Sequence, residues 1–176
     1  MTTRTTSSFC AALAAATLFL SGCGSKSETE VASGTYTDPE TGKTADYKIS
    51  SSEDGENGKV TIKTEEGEVQ FGGEAKLPAG ITPYPGSKMT GGFAGSGKDG
   101  QGGLASFEVK AKAADVIAHF RRQIEGAGLK VNSEMTAEDT IIIGAEKPGD
   151  AKTSIQVTAT QTGDMVEGAI TYGTGA

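Results

Sequence analysis

A single stretch of this chain has a helical period. Across residues 113–127, Val116, Phe120, Ile124 and Ala127 recur three or four positions apart, and Ile117 widens the stripe. One side is therefore apolar and the other faces solvent. Asp115 falls in the first turn, where a negative charge suits the helix dipole, and Gly126 or Gly128 can take the left-handed position that ends a helix. Neither Ala111 nor Lys112 offers a side chain that caps the start. Most of the remaining sequence after residue 33 alternates apolar and polar residues between turn signals, which leaves strands as its main element.

The alternation falls into two groups. Before residue 76 the apolar pairs are Tyr47 with Ile49, Val60 with Ile62, and Val69 with Phe71. They are separated by Asp38-Pro39-Glu40-Thr41-Gly42, by residues 50–58 and by Glu65-Glu66-Gly67. This spacing predicts a small β-meander at residues 34–75, with too few large apolar side chains to promise independent stability, so that it either packs on the next unit or stays loosely ordered. The second group opens with Leu77-Pro78-Ala79-Gly80-Ile81 and continues into Tyr84-Pro85-Gly86-Ser87, where Pro followed by Gly suits a type II turn. A hairpin is expected next: a strand at 88–93, a glycine-rich loop at 95–103, and a strand at 104–109 with Ala105, Phe107 and Val109 on one face. After the helix, strands are expected at 129–135, 140–145, 153–160 and 165–172, and the short turns between them force antiparallel neighbours. The expected fold class is α+β: an antiparallel sheet covered by one main helix in residues 76–176, preceded by the small β-region at 34–75.

The N-terminal segment has a different character. Residues 1–8 are polar with one positive charge, Arg4, and residues 9–20 are almost unbroken apolar sequence. These have the form of the n-region and h-region of a signal peptide. About 12 apolar residues fall well short of the roughly 20 that span a bilayer. The segment ends in Leu20-Ser21-Gly22-Cys23, a lipobox, with cleavage expected between Gly22 and Cys23 and lipid attached to the Cys23 thiol. Residues 1–22 are then a lipoprotein signal peptide and residues 23–33, small and charged, a flexible lipidated tether. Cys10 leaves with the signal and Cys23 is consumed by lipid, so the remaining domain has no disulfide to stabilise it. The chain carries 23 acidic against 16 basic residues, a net charge of −7, and loss of Arg4 makes the exported part more acidic still. That balance argues against nucleic acid as a partner and leaves membrane attachment to acyl chains on Cys23.

The lipobox, the LPAGITPYPGS segment at residues 77–87, the helix and the strands after it together resemble a group of uncharacterised proteobacterial lipoproteins. The resemblance implies a diacylglyceryl thioether on Cys23, a strand-rich exported domain with one helix, and no catalytic residue to carry over. Gly24 and Ser25 follow the cysteine, and neither is the aspartate that the resemblance associates with inner-membrane retention. The expected location is the outer membrane, facing the periplasm, with the inner membrane or the cell surface as the alternative.

Several stretches imitate chemistry. Gly92 to Lys98 has the spacing of a phosphate loop, but Asp99 stands where Ser or Thr would hold Mg²⁺, and glycines follow where a helix should begin. Gly95-x-Gly97-x-x-Gly100 matches a dinucleotide fingerprint by letter and lacks the same strand-turn-helix context. Glu53-Asp54-Gly55-Glu56-Asn57-Gly58 gathers oxygen ligands without the order of a calcium loop. His119, the only histidine, shares a helix stripe with Asp115 and Arg122; an exposed ion pair is the expected role, with Asp115 and His119 the one acid–base pair available to an enzyme. Lys110, Lys112, Arg121 and Arg122 make a small basic patch. No catalytic, metal or cofactor site is expected. The favoured function is a noncatalytic interaction or structural module of the cell envelope, with an envelope protein as partner. The alternative is a small-ligand carrier or enzyme using a helix–sheet pocket near His119.

Overall fold

The computed structural model describes residues 29–51, 58–72 and 76–175. The lipobox, Gly22, Cys23, the first part of the tether and most of the acidic stretch at 53–58 lie outside them.

Ten strands form one antiparallel sheet. In chain order they are β1 (Thr29–Thr37), β2 (Thr44–Ser51), β3 (Gly58–Thr64), β4 (Gly67–Gly72), β5 (Lys88–Gly97), β6 (Gly100–Val109), β7 (Lys130–Ala137), β8 (Thr140–Lys147), β9 (Asp150–Thr162) and β10 (Met165–Gly175). The helix α1 (Ala113–Gly126) lies between β6 and β7 in sequence. The strand order is β1-β2-β3-β4-β5-β6-β10-β9-β8-β7. The first six strands run as a meander, and the last four run backwards from the far edge to the middle.

The expected α+β architecture is corrected by this arrangement, since the fold is mainly β. Helix α1 has 14 residues and so is about 21 Å long and about 10 Å across, enough to shield only some of ten strands. It packs across β7, β8 and β9. The β-region at 34–75 is also continuous with the rest: β4 pairs with β5, with Phe71 opposite Phe93. Residues 29–33, within the stretch read as tether, belong to β1, because Thr29 to Ser33 find hydrogen-bonding partners along β2. The glycine-rich stretch at 95–103 is mostly strand as well, and only Lys98 and Asp99 turn the chain.

Local signals place the helix. Its C-terminus closes as a Schellman motif: Leu129 N–H donates to the Ile124 carbonyl at 3.1 Å, and Gly128 N–H to the Glu125 carbonyl at 3.0 Å. Gly128 takes φ +82°, which a side chain would resist. At the N-terminus the missing local cap is replaced from β9. Gln161 Oε1 accepts the Ala113 N–H at 2.8 Å, while its Nε2 lies 3.0 to 3.2 Å from the carbonyls of Gly163, Met165 and Ala111. One side chain thus fixes the helix start to the β9–β10 turn.

Beneath the helix, Val116, Phe120 and Ile124 are fully buried against Ile143, Val157, Val166 and Ile170, and the ring of Phe107 sits 5.6 Å from that of Phe120. The connection at 76–87 closes the side of this core with Ile81 and Tyr84. Its turn at Tyr84-Pro85-Gly86-Ser87 forms as expected, with Gly86 at φ +79° and Ser87 N–H donating to the Tyr84 carbonyl at 2.9 Å.

Candidate functional site

The register of the sheet reveals an exchange of faces. Side chains of residues directly opposite one another in an antiparallel pair share a face, and successive residues alternate. One row under the helix side reads Ser33, Lys48, Thr61, Gln70, Ala94, Gly103, Tyr172, Ile155, Ala145, Val131 from β1 to β7. It begins polar and ends apolar. The row beside it, on the opposite face, reads Ala32, Ile49, Val60, Phe71, Phe93, Leu104, Thr171, Gln156, Gly144, Ser133. That row begins apolar and ends in small and polar residues.

The apolar side of the sheet therefore changes at β5–β6. In the β6–β10 half it faces α1 and is buried. In the β1–β5 half it faces away from α1. Phe71 and Phe93 are 46% and 43% exposed there, with ring centroids 6.2 Å apart, and Tyr36, Tyr47 and Val69 are exposed on the same side. The two rows at the centre of this side, Ile49-Val60-Phe71-Phe93-Leu104 and Tyr47-Ile62-Val69-Gly95-Gly102, are uncharged, and Lys88, at the start of β5, faces Glu108 at the margin of the same side. The exchange occurs over small residues. Gly103 leaves room for the ring of Tyr172, whose hydroxyl donates to the Lys76 carbonyl at 3.0 Å; burial pushes that phenol above its ordinary range.

On the helix side, β1–β4 line a polar concavity of about 690 Å³ that includes Lys48, Lys63, Thr61, Glu68 and Gln70. Its charges are largely satisfied within the chain: Lys48 pairs with Glu30 at 2.8 Å, Lys63 with Glu68 at 3.2 Å, and Thr35 donates to Asp46 at 2.6 Å. The Lys48 ammonium and the Ser33 hydroxyl together hold the Glu30 carboxyl below its usual value. A solvated sheet face with internally balanced charge is the result.

His119 is not placed for acid–base work with Asp115. No hydrogen bond or ion pair joins the two among the described residues. Instead His119 Nε2 accepts from the Gln123 amide nitrogen, which leaves the imidazole proton on Nδ1, and its ring stands edge-on to Tyr84 at 5.0 Å. Gln123 in turn binds Thr82 from both sides: Oε1 accepts its N–H at 2.6 Å and its hydroxyl at 3.1 Å, and Nε2 donates to its carbonyl at 3.2 Å. The histidine belongs to the fastening of the 76–87 connection onto α1. Concavities of about 690, 150 and 710 Å³ lie elsewhere, and His119 lines none of them.

The other sequence candidates are dispersed. Gly92 to Lys98 forms strand β5 and runs into a two-residue turn, with no helix start facing it. The basic patch is divided by local acids, since Lys110 pairs with Asp164 at 2.6 Å and Arg121 with Glu134 at 2.7 Å. Among the described residues no three His, Cys, Asp or Glu side chains gather to hold a metal ion, and no helix is long and apolar enough to cross a membrane. Sequence reasoning found the alternation of Val60, Ile62, Val69 and Phe71 but missed that its parity opposes that of Phe107 and Val109. No local signal carries that relation; only the register across Phe71, Phe93 and Leu104 does. Against protein-family models, curated proteins and solved structures the chain finds no match.

Proposed function

We propose that this chain is a lipid-anchored protein of the bacterial cell envelope that acts without a catalytic centre, as an interaction or structural module. The observation that carries the reading is the apolar face of β1–β5, on the side away from α1, which no described residue covers. A soluble sheet buries its apolar face or presents it to a partner. Anchoring rests on the lipobox ending at Cys23, and the outer membrane, facing the periplasm, on the residues that follow it. The anchor holds the domain at a membrane, where a partner confined to the same surface meets it at high effective concentration.

The test is labelling of cells with a palmitate analogue, alongside photo-crosslinking from a probe residue at Phe71 and, separately, at Thr61 on the opposite face. The expected result is label on the parent chain and none on Cys23→Ala, with adducts from position 71 and not from position 61. An unlabelled parent removes the anchor. Absence of adducts from both positions removes the interaction surface.

A further inference from the structure

We infer that the apolar face of β1–β6 is covered by the same face of a second copy of this chain, giving a two-fold β-sandwich with the helices outside. The inference deepens the proposed interaction role and rests on it. Three observations favour a second copy.

The first is self-complementarity. A two-fold interface brings one patch against itself, so each charged residue near its centre would meet its like or be buried unpaired. The central rows contain no charge: Ile49, Val60, Phe71, Phe93 and Leu104 in one, Tyr47, Ile62, Val69, Gly95 and Gly102 in the next. Glycines beside the aromatics leave recesses that rings from a facing sheet can enter, as sheet-on-sheet packing requires.

The second is area. Six strands spaced about 4.8 Å apart, over the five residues from Ala45 to Ile49 at about 3.4 Å each, give a patch of roughly 29 by 17 Å, or about 490 Å² per copy. The pair would bury about 1,000 Å², the lower bound for a specific interface. The same patch against a lipid surface would lack the basic rim that holds interfacial proteins to anionic headgroups, and the chain carries a net charge of −7.

The third is geometry. A two-fold axis parallel to the strands, passing between β3 and β4, turns the face over while keeping strand directions aligned, the arrangement of packed sheets. It places β4 of one copy over β3 of the other. It also leaves the Thr29 ends of both copies at the same end of the assembly, as two chains anchored in one membrane require.

The experiment uses the full chain in its own membrane. Lipidation consumes Cys23, so Val69→Cys introduces the one free thiol of the mature chain, close to the axis, and Thr61→Cys places it on the opposite face. Cells are treated with a short bismaleimide and the chain is examined on denaturing gels. The expected result is a species of twice the chain's mass from Val69→Cys, at least tenfold above that from Thr61→Cys, and lost when Phe71→Lys is added. A thermal melt of the Phe71→Lys chain shows whether it is folded; if it is not, the comparison of Val69→Cys with Thr61→Cys decides alone. Equal yields from the two positions, or no doubled species from Val69→Cys, overturn the inference. An adduct of Val69→Cys with a different protein in place of the doubled species also overturns it, while leaving the interaction reading standing. A doubled species in the parent chain would mean that Cys23 is a free thiol, which is a failure of the anchored reading and is read separately.

Discussion

Replacing Gln161 with Ala tests how the helix is held to the sheet. The structure gives this side chain one acceptor bond, from Ala113 N–H at 2.8 Å, and three carbonyls within 3.0 to 3.2 Å of an amide nitrogen that carries two hydrogens. Three bonds are therefore satisfied at once. At a net contribution of about 1 kcal/mol each, their loss costs about 3 kcal/mol. The Ala113 residue is 6% exposed, so its N–H is poorly placed to recover a water in exchange. For a domain of this size, about 3 kcal/mol corresponds to a fall in Tm of roughly 6 to 12 °C. The assay is urea unfolding followed by far-UV circular dichroism, with Gln156→Ala, exposed on the same strand, as the comparison. Gln161→Ala should lower the midpoint without changing the slope, and Gln156→Ala should stay within about 0.5 kcal/mol of the parent. Gln161→Glu should be no better than Gln161→Ala at neutral pH, because a carboxylate keeps the acceptor but faces carbonyl oxygens where an amide donated. A loss of less than about 0.5 kcal/mol in Gln161→Ala would refute the reasoning, since it would place the helix start under local control after all.

Four further outcomes are expected. Gly168→Ala should destabilise by about 1–3 kcal/mol in the same assay, because its Cβ would overlap the ring of Phe107, which is 2% exposed and has nowhere to move. Glu138→Gly should stabilise by about 0.5 kcal/mol, since Glu138 holds φ +50° in the β7–β8 turn and the strain relieved slightly exceeds the entropy that glycine costs. The Asp38 carboxyl, held below its ordinary value by the amides of Thr41 and Glu40, should contribute stability that is present above the unfolded-state value and is lost as pH falls through the lower folded-state value. An NMR titration of Asp38 at its ordinary value would contradict this. Gln123→Ala should speed amide hydrogen exchange at Thr82 at least tenfold while leaving Val157 unchanged, because only the 76–87 connection loses its fastening.

The sequence was informative where structure depends on neighbours along the chain. The stripe from Val116 to Ile124, the stop at Gly128 and the Pro85-Gly86 turn are each set within a few residues, and each forms. Features that join distant segments were not legible. Gln161 caps Ala113 from 48 residues away, so the absence of a cap at Lys112 looked like a weak helix start when it was a non-local one. The stretch at 95–103 reads as loop because glycines display no alternation, yet Gly95 pairs with Val69 and Gly102 with Gly173 within the sheet. His119 has a residue four positions away on either side, Asp115 and Gln123, and spacing alone does not choose between them; the choice falls to Gln123 because Thr82 already orients its amide. The exchange of faces at β5–β6 is the extreme case. Alternation shows that a strand has two sides, while only pairing says which side it shares with its neighbour.

The position of β10 bears on when this protein can fold. It follows the other nine described strands along the chain, yet it lies between β6 and β9 and, among the described residues, is the only strand that joins the two halves of the sheet. Val166 and Ile170, both fully buried, reach the core only with it. Until β10 is in place, β1–β6 has no neighbour on its inner edge, and α1 lacks part of the floor it rests on. The sheet thus closes as one unit only once β10 has inserted between β6 and β9. A chain truncated before Met165 would fall into two separate groups of strands.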